Sequence, residues 1–274
     1  MGYAELLRAD AGFRLADIDP DATPGFTGDK RAGQKALAQG EPALTELQER
    51  LFANTEHDPR SVLLVLQAMD TAGKGGIVRH VVGAVDPQGV HIHSFKKPTP
   101  EELAHDFLWR IERELPGPGR IGVFDRSHYE DVLIGRVRKL ADDAEIERRY
   151  GAIVDFEERL VASGTVIVKC MLHISADEQR DRLAERLDRP DKHWKFNPGD
   201  LAERALWPEY QEAYQLAIER TSTPAAPWFV IPANRKWYAR LAVSELLTHA
   251  LRSLGQGWPP ADFDVEEQRR LLFS

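Results

Sequence analysis

Apolar residues along this chain follow two rhythms, and their alternation predicts the fold. Near-continuous apolar runs at 62–66, 121–124 and 164–174 read as strands buried on both faces. The alternating segment Val90-His-Ile-His-Ser-Phe95 and the short run Pro227-Trp-Phe-Val-Ile-Pro232 add two more. Between the strands, apolar residues return every three to four positions. Leu44, Leu47, Leu51 and Phe52 mark a helix within 29–55, a core-facing stripe that the turn signal Gly40-Glu-Pro42 is expected to divide. Further helices are predicted over 100–114, capped by Thr99, over 142–163, and from Ser175, whose Ser-x-x-Glu pattern is a capping box. A helical stretch from Asn197 to about Thr221 carries Trp207, Tyr210 and Tyr214 at packing spacing, with a kink expected at Pro208. A last helix runs 240–254. Strands alternating with helices predict an α/β fold, one five-stranded parallel sheet covered on both faces. Residues 1–28 read as an irregular arm, 29–255 as one catalytic domain, and 256–274 as a surface tail.

The junction after the first strand is where this pattern meets chemistry. Ala68-Met-Asp-Thr-Ala-Gly-Lys-Gly-Gly76 is a glycine-rich turn with one Lys, followed by a helical segment. A strand feeding such a turn and then a helix N-terminus offers unpaired N–H groups to an anion, and Lys74 adds a full charge. Ala72, Gly73, Gly75 and Gly76 are the expected phosphate-binding backbone. The spacing is that of G-x-x-x-x-G-K-[ST], except that Ala68 replaces the first Gly and Gly75 the hydroxyl residue that normally ligates Mg²⁺. Asp70, a carboxylate inside the loop, is placed to take over the metal. The competing reading is a glycine-rich helix cap with a solvated Lys.

Composition narrows the partners. A formal net charge of −8 argues against a broad nucleic-acid surface. No apolar stretch reaches the length of a membrane span, and the first residues carry acids rather than a signal core. The lone Cys170 sits in an apolar run and reads as a buried, inert thiol. A cytoplasmic protein is expected.

Two more stretches hold candidate chemistry. The strand 120–125 ends in Asp125, followed by Arg126; an acid at a strand tip beside a phosphate loop is the Walker-B arrangement, with a helix-capping Asp as the alternative. Arg180 to Lys195 holds six cations. Arg182, Arg186 and Arg189 fall at i, i+4 and i+7, which fits a lid (about 178–200) closing a basic face over phosphates, or a solvated helix laced with pairs such as Glu185–Arg189. Trp194 and Phe196 stand beside these cations, either to stack a base or to anchor the lid. His91 and His93 share a strand face, where a metal pair competes with a plain polar face.

The motifs 68–76, Ser94-Phe-Lys-Lys-Pro-Thr-Pro100 through Arg110, Phe124-Asp-Arg-Ser-His-Tyr-Glu-Asp-Val-Leu133, Asp191-Lys-His-Trp-Lys-Phe-Asn-Pro198 and Pro232-Ala-Asn-Arg-Lys-Trp-Tyr238 together resemble the polyphosphate kinase type 2 family over roughly residues 30–255. The resemblance implies a P-loop kinase-like fold of the thymidylate-kinase branch with a helical lid. It implies Mg²⁺-dependent transfer of a phosphoryl group between inorganic polyphosphate and a nucleotide, with Mn²⁺ as a substitute metal. Asp70 and Asp125 look like the metal-organising and acceptor-activating acids, and Lys74 and Arg126 like phosphate clamps. Arg186, Arg189 and Lys192 look like lid contacts to phosphate, and Lys96, Glu130, Trp194, Asn234 and Lys236 like nucleotide contacts. The segments around Glu130 and Asn234 resemble members that accept AMP, with or without ADP. A homo-oligomer, dimer or tetramer, is implied. The alternatives are an ATP-dependent nucleotide kinase, which the missing loop hydroxyl disfavours, and a catalytically inactive polyphosphate- or nucleotide-binding module.

Overall fold

In the computed structural model, which describes residues 2–274, the chain runs α1 (Tyr3–Leu6), α2 (Lys30–Ala53), β1 (Ser61–Gln67), α3 (Lys74–His80), β2 (Val90–Ser94), α4 (Pro100–Leu103), α5 (Trp109–Glu112), β3 (Ile121–Asp125), α6 (Ile134–Val137), α7 (Asp143–Ala162), β4 (Thr165–His173), α8 (Ala176–Asp188), α9 (Gly199–Arg204), α10 (Trp207–Thr221), β5 (Trp228–Pro232), α11 (Lys236–Ser253) and α12 (Val265–Leu272). The strands form one all-parallel sheet in the order β2-β3-β1-β4-β5. Along β1, successive side chains point to opposite faces. Val62, Leu64 and Leu66 pack with Leu44 of α2, Ile77 of α3 and Leu246 of α11. Leu63 and Val65 pack with Phe156 of α7 and Tyr214 of α10. β1 therefore leaves toward α3 on one face, and its neighbour β3 leaves toward α7 on the other. The crevice between these diverging connections, beyond Leu66 and Asp125, is where such sheets bind ligands.

Local signals decide most boundaries, and tertiary packing overrides a few. α2 is continuous through Gly40 and Pro42 rather than divided. The hydrogen bond that Pro42 forfeits is outweighed by the burial of Leu44 and Leu51 and by the contact of Gly33 with Trp237 of α11. A Cβ at Gly33 would lie 2.2 Å from that indole, so only Gly lets the two helices come this close. The expected helix 100–114 is two short pieces. Thr99 and Glu102 form a capping box on α4, but the Asp106 carboxylate then accepts from the Leu108 N–H and starts a new turn. Pro208 sits in the first turn of α10, where a missing N–H costs nothing, so it begins that helix instead of kinking it. α11 starts at Lys236, four residues before the expected 240, and the tail carries α12, none of whose residues is buried. The N-terminal arm is also more ordered than expected. The Ala9 N–H donates to the Trp228 carbonyl and the Val230 N–H to that of Leu7, each at 2.8 Å, which covers the outer edge of β5. Cys170 is fully buried, and burial pushes its thiol far up, so it is inert.

A polar knot lies under the loop that follows β3. Lys169 of β4 is fully buried; its Nζ donates to Glu157 Oε2 at 2.5 Å, to Tyr129 Oη at 3.0 Å and to the Thr221 carbonyl at 2.8 Å. Tyr129 Oη donates to Glu157 Oε1 at 2.8 Å, and His128 Nε2 lies 3.2 Å from the same oxygen. Burial alone would raise the Glu157 carboxyl, but Lys169 and His128 outweigh it and hold it below its ordinary value. His128 and Tyr129 are thereby fixed, three and four residues beyond Asp125. Lys169→Met takes the buried ammonium away from Glu157, and urea unfolding should show a loss of about 3–5 kcal/mol. A loss under about 1 kcal/mol would mean that the pair does not hold this region together.

Candidate active site

The β1–α3 loop takes its shape from three devices. Gly73, at φ +117°, turns the chain into α3 in a conformation that side chains rarely adopt. Thr71 (φ 68°) and Arg126 (φ 66°) also lie in the left-handed region, at the tips of β1 and β3. Such residues cost of order 1 kcal/mol each and cluster where a site over-determines its backbone. The third device is Arg182 of α8. Its buried guanidinium donates to the carbonyls of Thr71 (3.0 Å), Ala72 (2.9 Å), Ala233 (2.7 Å) and Asn234 (2.9 Å), and to Glu178 (2.6 Å). Gln179 donates to the Asp70 carbonyl at 3.1 Å. With these carbonyls held from α8, the N–H groups of Gly73, Lys74 and Gly75 donate to no protein acceptor among the described residues. They form a concave nest of donors suited to an anion. Nothing lies within 4 Å of a Cβ built on Gly75, so the nest is open there.

A cavity of about 780 Å³ surrounds this loop, lined by eleven Lys and Arg residues against four carboxylates. In a chain of net charge −8, that concentration of cations marks a site for a polyanion. Lys74 donates back to the Ala68 carbonyl at 3.1 Å. Arg126 lies 3.1 Å from Asp70 Oδ1. Burial pulls the Arg126 guanidinium down, but Glu130, Asp70 and Asp125 together raise it above its ordinary value.

Most of the sequence-derived candidates meet here. Asp70, Ala72, Gly73, Lys74, Gly75, Gly76, Lys96, Asp125, Arg126, Arg186, Arg189, Lys192, Trp194 and Lys236 all line the cavity. Glu130 and Asn234 do not. Glu130 lies behind the loop, where burial raises its carboxyl against the pull of Arg126 and Lys74. Asn234 accepts from the Ser175 N–H at 3.0 Å and donates to Asp21 at 2.9 Å, tying the arm and the start of α8 to the end of β5. Within the expected lid, α8 ends at Asp188, so Arg189 lies past the helix and off the face that Arg182 and Arg186 share. Arg189 pairs with Asp191 (2.9 Å) and Glu185 (3.2 Å), and Arg186 with Asp200 (3.3 Å). Trp194 is 78 % exposed, with the Lys195 ammonium 4.8 Å from the centre of its ring and its Nε1–H donating to the Asp191 carbonyl at 3.0 Å. His91 and His93 both point at Glu114, at 3.0 and 2.9 Å. Among the described residues no group of three His, Cys, Asp or Glu is placed to hold a metal.

Two features escaped the sequence reading. Arg182 looked like one member of an exposed stripe, yet it is the strut of the loop. Arg79 and Arg240 also line the cavity. Burial and the charge of Arg79 lower the Arg240 guanidinium. The available signal was that Lys236 and Arg240 are i, i+4 on the helix after β5, one face aimed at the loop. Arg182→Lys cannot reproduce the fork of donors. Turnover should fall about 10²-fold, as for a misplaced reacting group, while the circular dichroism spectrum stays parental. Parental turnover would show that the loop holds its shape without the guanidinium.

The comparisons with known proteins agree with this geometry. Residues 27–256 match the family model described as Polyphosphate kinase 2. The chain is 49 % identical over 261 residues to a Meiothermus ruber protein named AMP/ADP-polyphosphate phosphotransferase, covering 95 % of this chain and 97 % of that one. It is 42 % identical to a Rhodopseudomonas palustris ADP-polyphosphate phosphotransferase, covering 92 % and 89 %. The crystal structure of polyphosphate kinase 2 from Arthrobacter aurescens TC1 superimposes with a TM-score of 0.98 at 60 % identity, covering 100 % of this chain and 97 % of that one.

Proposed function

Because the chain belongs to the polyphosphate kinase 2 family, we propose that it transfers a phosphoryl group between inorganic polyphosphate and a nucleoside mono- or diphosphate, AMP to ADP, ADP to ATP, or both. The observation that carries this reading is the convergence of a glycine-rich donor nest and a ring of cations on one cavity in an acidic protein. Phosphoryl transfer asks mainly for in-line positioning and charge stabilisation. A terminal oxygen of the nucleotide attacks the end phosphorus of the polyphosphate. The bond from that phosphorus to the bridging oxygen breaks, and the chain leaves one unit shorter. The amides of Gly73 to Gly75 and Lys74 receive the oxygens of the transferred group. Arg126, with Arg186, Arg189 and Lys192 from the lid, balances the charge on the flanking phosphates. Lys96, Trp194 and Lys236 face the nucleotide, while Glu130 and Asn234 support the loops from behind.

Asp70 and Asp125 line the same cavity and fit Mg²⁺, which binds through one or two carboxylates and takes its remaining ligands from phosphate oxygens and water. Mn²⁺ suits the same oxygens. When bound, such an ion neutralises charge on the bridging and transferred phosphates. The open space at Gly75 agrees with a site whose metal is held by carboxylates rather than by a loop hydroxyl. We further read the enzyme as a cytoplasmic homo-oligomer, dimer or tetramer, with no nucleic-acid partner. Among the described residues no helix is long and apolar enough to cross a membrane. Exposed Leu271, Leu272 and Phe273 on and beside α12 offer apolar surface to a second subunit.

Lys74→Ala should lower polyphosphate-dependent turnover about 10²- to 10³-fold, the effect of losing one preorganised contact to the transition state. A folded variant with undiminished turnover would refute the assignment. Asp125→Asn should move the Mg²⁺ titration of the rate to higher concentration; a curve superimposable on the parent's would remove Asp125 from the metal site.

A further inference from the structure

The phosphate cavity has two ends, over opposite faces of the sheet. One is formed by the tips of β2 and β3, with Phe95, Lys96, Asp125 and Arg126. Phe95 packs into the cluster on the α7 and α10 face. At the other end α3 and α11 supply Ile77, Arg79, His80, Ala239 and Arg240. Ile77 and Ala239 belong to the cluster on the opposite face. The donor nest, at the junction of β1 and α3, joins the two ends.

The α3–α11 end holds positive charge without a counter-charge. Other cations of the cavity are paired: Arg126 with Asp70 at 3.1 Å, Arg186 with Asp200 at 3.3 Å and Lys236 with Glu185 at 3.6 Å. Arg240, one turn beyond Lys236, is half-buried, yet its side chain forms no ion pair and no hydrogen bond among the described residues. The same holds for exposed Arg79. The Arg240 guanidinium lies over Gly76, its Nη2 and Nε 3.6 and 3.8 Å from a Cβ built there. Arg79 comes three residues later, about 4.5 Å further along the α3 axis. Burial, and then the charge of Arg79, lowers the Arg240 guanidinium; burial, and then Arg240 and Arg79, lowers the His80 imidazole. A half-buried charge beside like charges costs stability unless an anion compensates it. Neither α3 nor α11 presents a carboxylate, or a Phe, Tyr or Trp ring, to the cavity, so this end suits phosphate charge and has nothing to stack a base.

Resting on the function proposed above, we propose that Arg240 and Arg79 form a subsite for the part of the polyphosphate chain that is not transferred, and that this subsite gives the enzyme a preference for long chains. In-line transfer places the acceptor and the leaving group on opposite sides of the moving phosphorus. With the acceptor at the β2–β3 end, the leaving chain points to the α3–α11 end. A short chain stops at the nest. A longer one passes over Gly76 to Arg240 and then to Arg79, where exposure of the side chain leaves the way out to solvent open.

The test compares the intact parent with Arg79→Gln, Arg240→Gln and the double variant, at saturating nucleotide, on long-chain polyphosphate and on the shortest chain that the parent accepts. In the double variant KM for the long chain should rise about tenfold with kcat within about twofold of the parent, the pattern of lost ground-state contacts. Both constants for the shortest chain should stay parental. Arg79→Gln, at an exposed position away from the core, should alone raise the long-chain KM about threefold. Calorimetric binding of long-chain polyphosphate without nucleotide should weaken in step, and its logarithmic salt slope should fall by about two in the double variant. Equal losses on both chain lengths would overturn the proposal, as would a rise in the KM for nucleotide instead of polyphosphate, or long-chain binding that no variant weakens. If the parent transfers no phosphate to any nucleotide, the function proposed above fails, and the binding series alone decides the subsite by the same criterion.

Discussion

The guanidinium of Arg182 is the contact on which the site depends. A loop that offers N–H groups to an anion must dispose of its carbonyls, because peptide units present both. Here Arg182 takes the carbonyls of Thr71 and Ala72 and, with the same fork, those of Ala233 and Asn234. Arginine suits the task because its five donors are coplanar, permanently charged and weakly hydrated. The consequence reaches beyond the loop. The strand tips of β1 and β5 and helix α8 are joined at one side chain, so the donor nest and α8 are built as one piece.

Charge is distributed on the same principle. The protein is acidic overall, yet its cavity is strongly cationic. Several of those cations are parked on carboxylates: Arg126 on Asp70, Arg186 on Asp200, Arg189 on Asp191 and Glu185. The exposed pairs of Arg189 are worth little in themselves. They hold long side chains at the wall of the cavity.

What could be read from the sequence, and what could not, follows from the range of each interaction. β1, β3 and β4 were legible because burial on both faces requires unbroken apolar runs, and the loop because only glycine tolerates the backbone at Gly73. Asp125 was legible as an acid at a strand tip. Arg182 was not, because helical periodicity reports which residues share a face and not what lies opposite. Its partners are carbonyls more than 50 residues away, and a backbone acceptor leaves no mark on the sequence. The same limit hid Arg240 and the hydrogen bonds by which Asn234 braces the arm. Gly40 and Pro42 misled for the converse reason: a local helix-breaking signal was weaker than the packing of α2 on α11.

The central claim is that this cavity moves phosphate between polyphosphate and a nucleotide, and phosphorus NMR tests it most directly. The intact protein is incubated with AMP, inorganic polyphosphate and Mg²⁺, with ADP in a parallel sample and no ATP in either. The account requires new nucleotide β- or γ-phosphate resonances to grow while the polyphosphate signal is consumed in equal amount. If neither nucleotide gains a phosphate from polyphosphate, while a third sample with ATP in place of polyphosphate converts AMP to ADP, the cavity belongs to a different kinase reaction and the account fails.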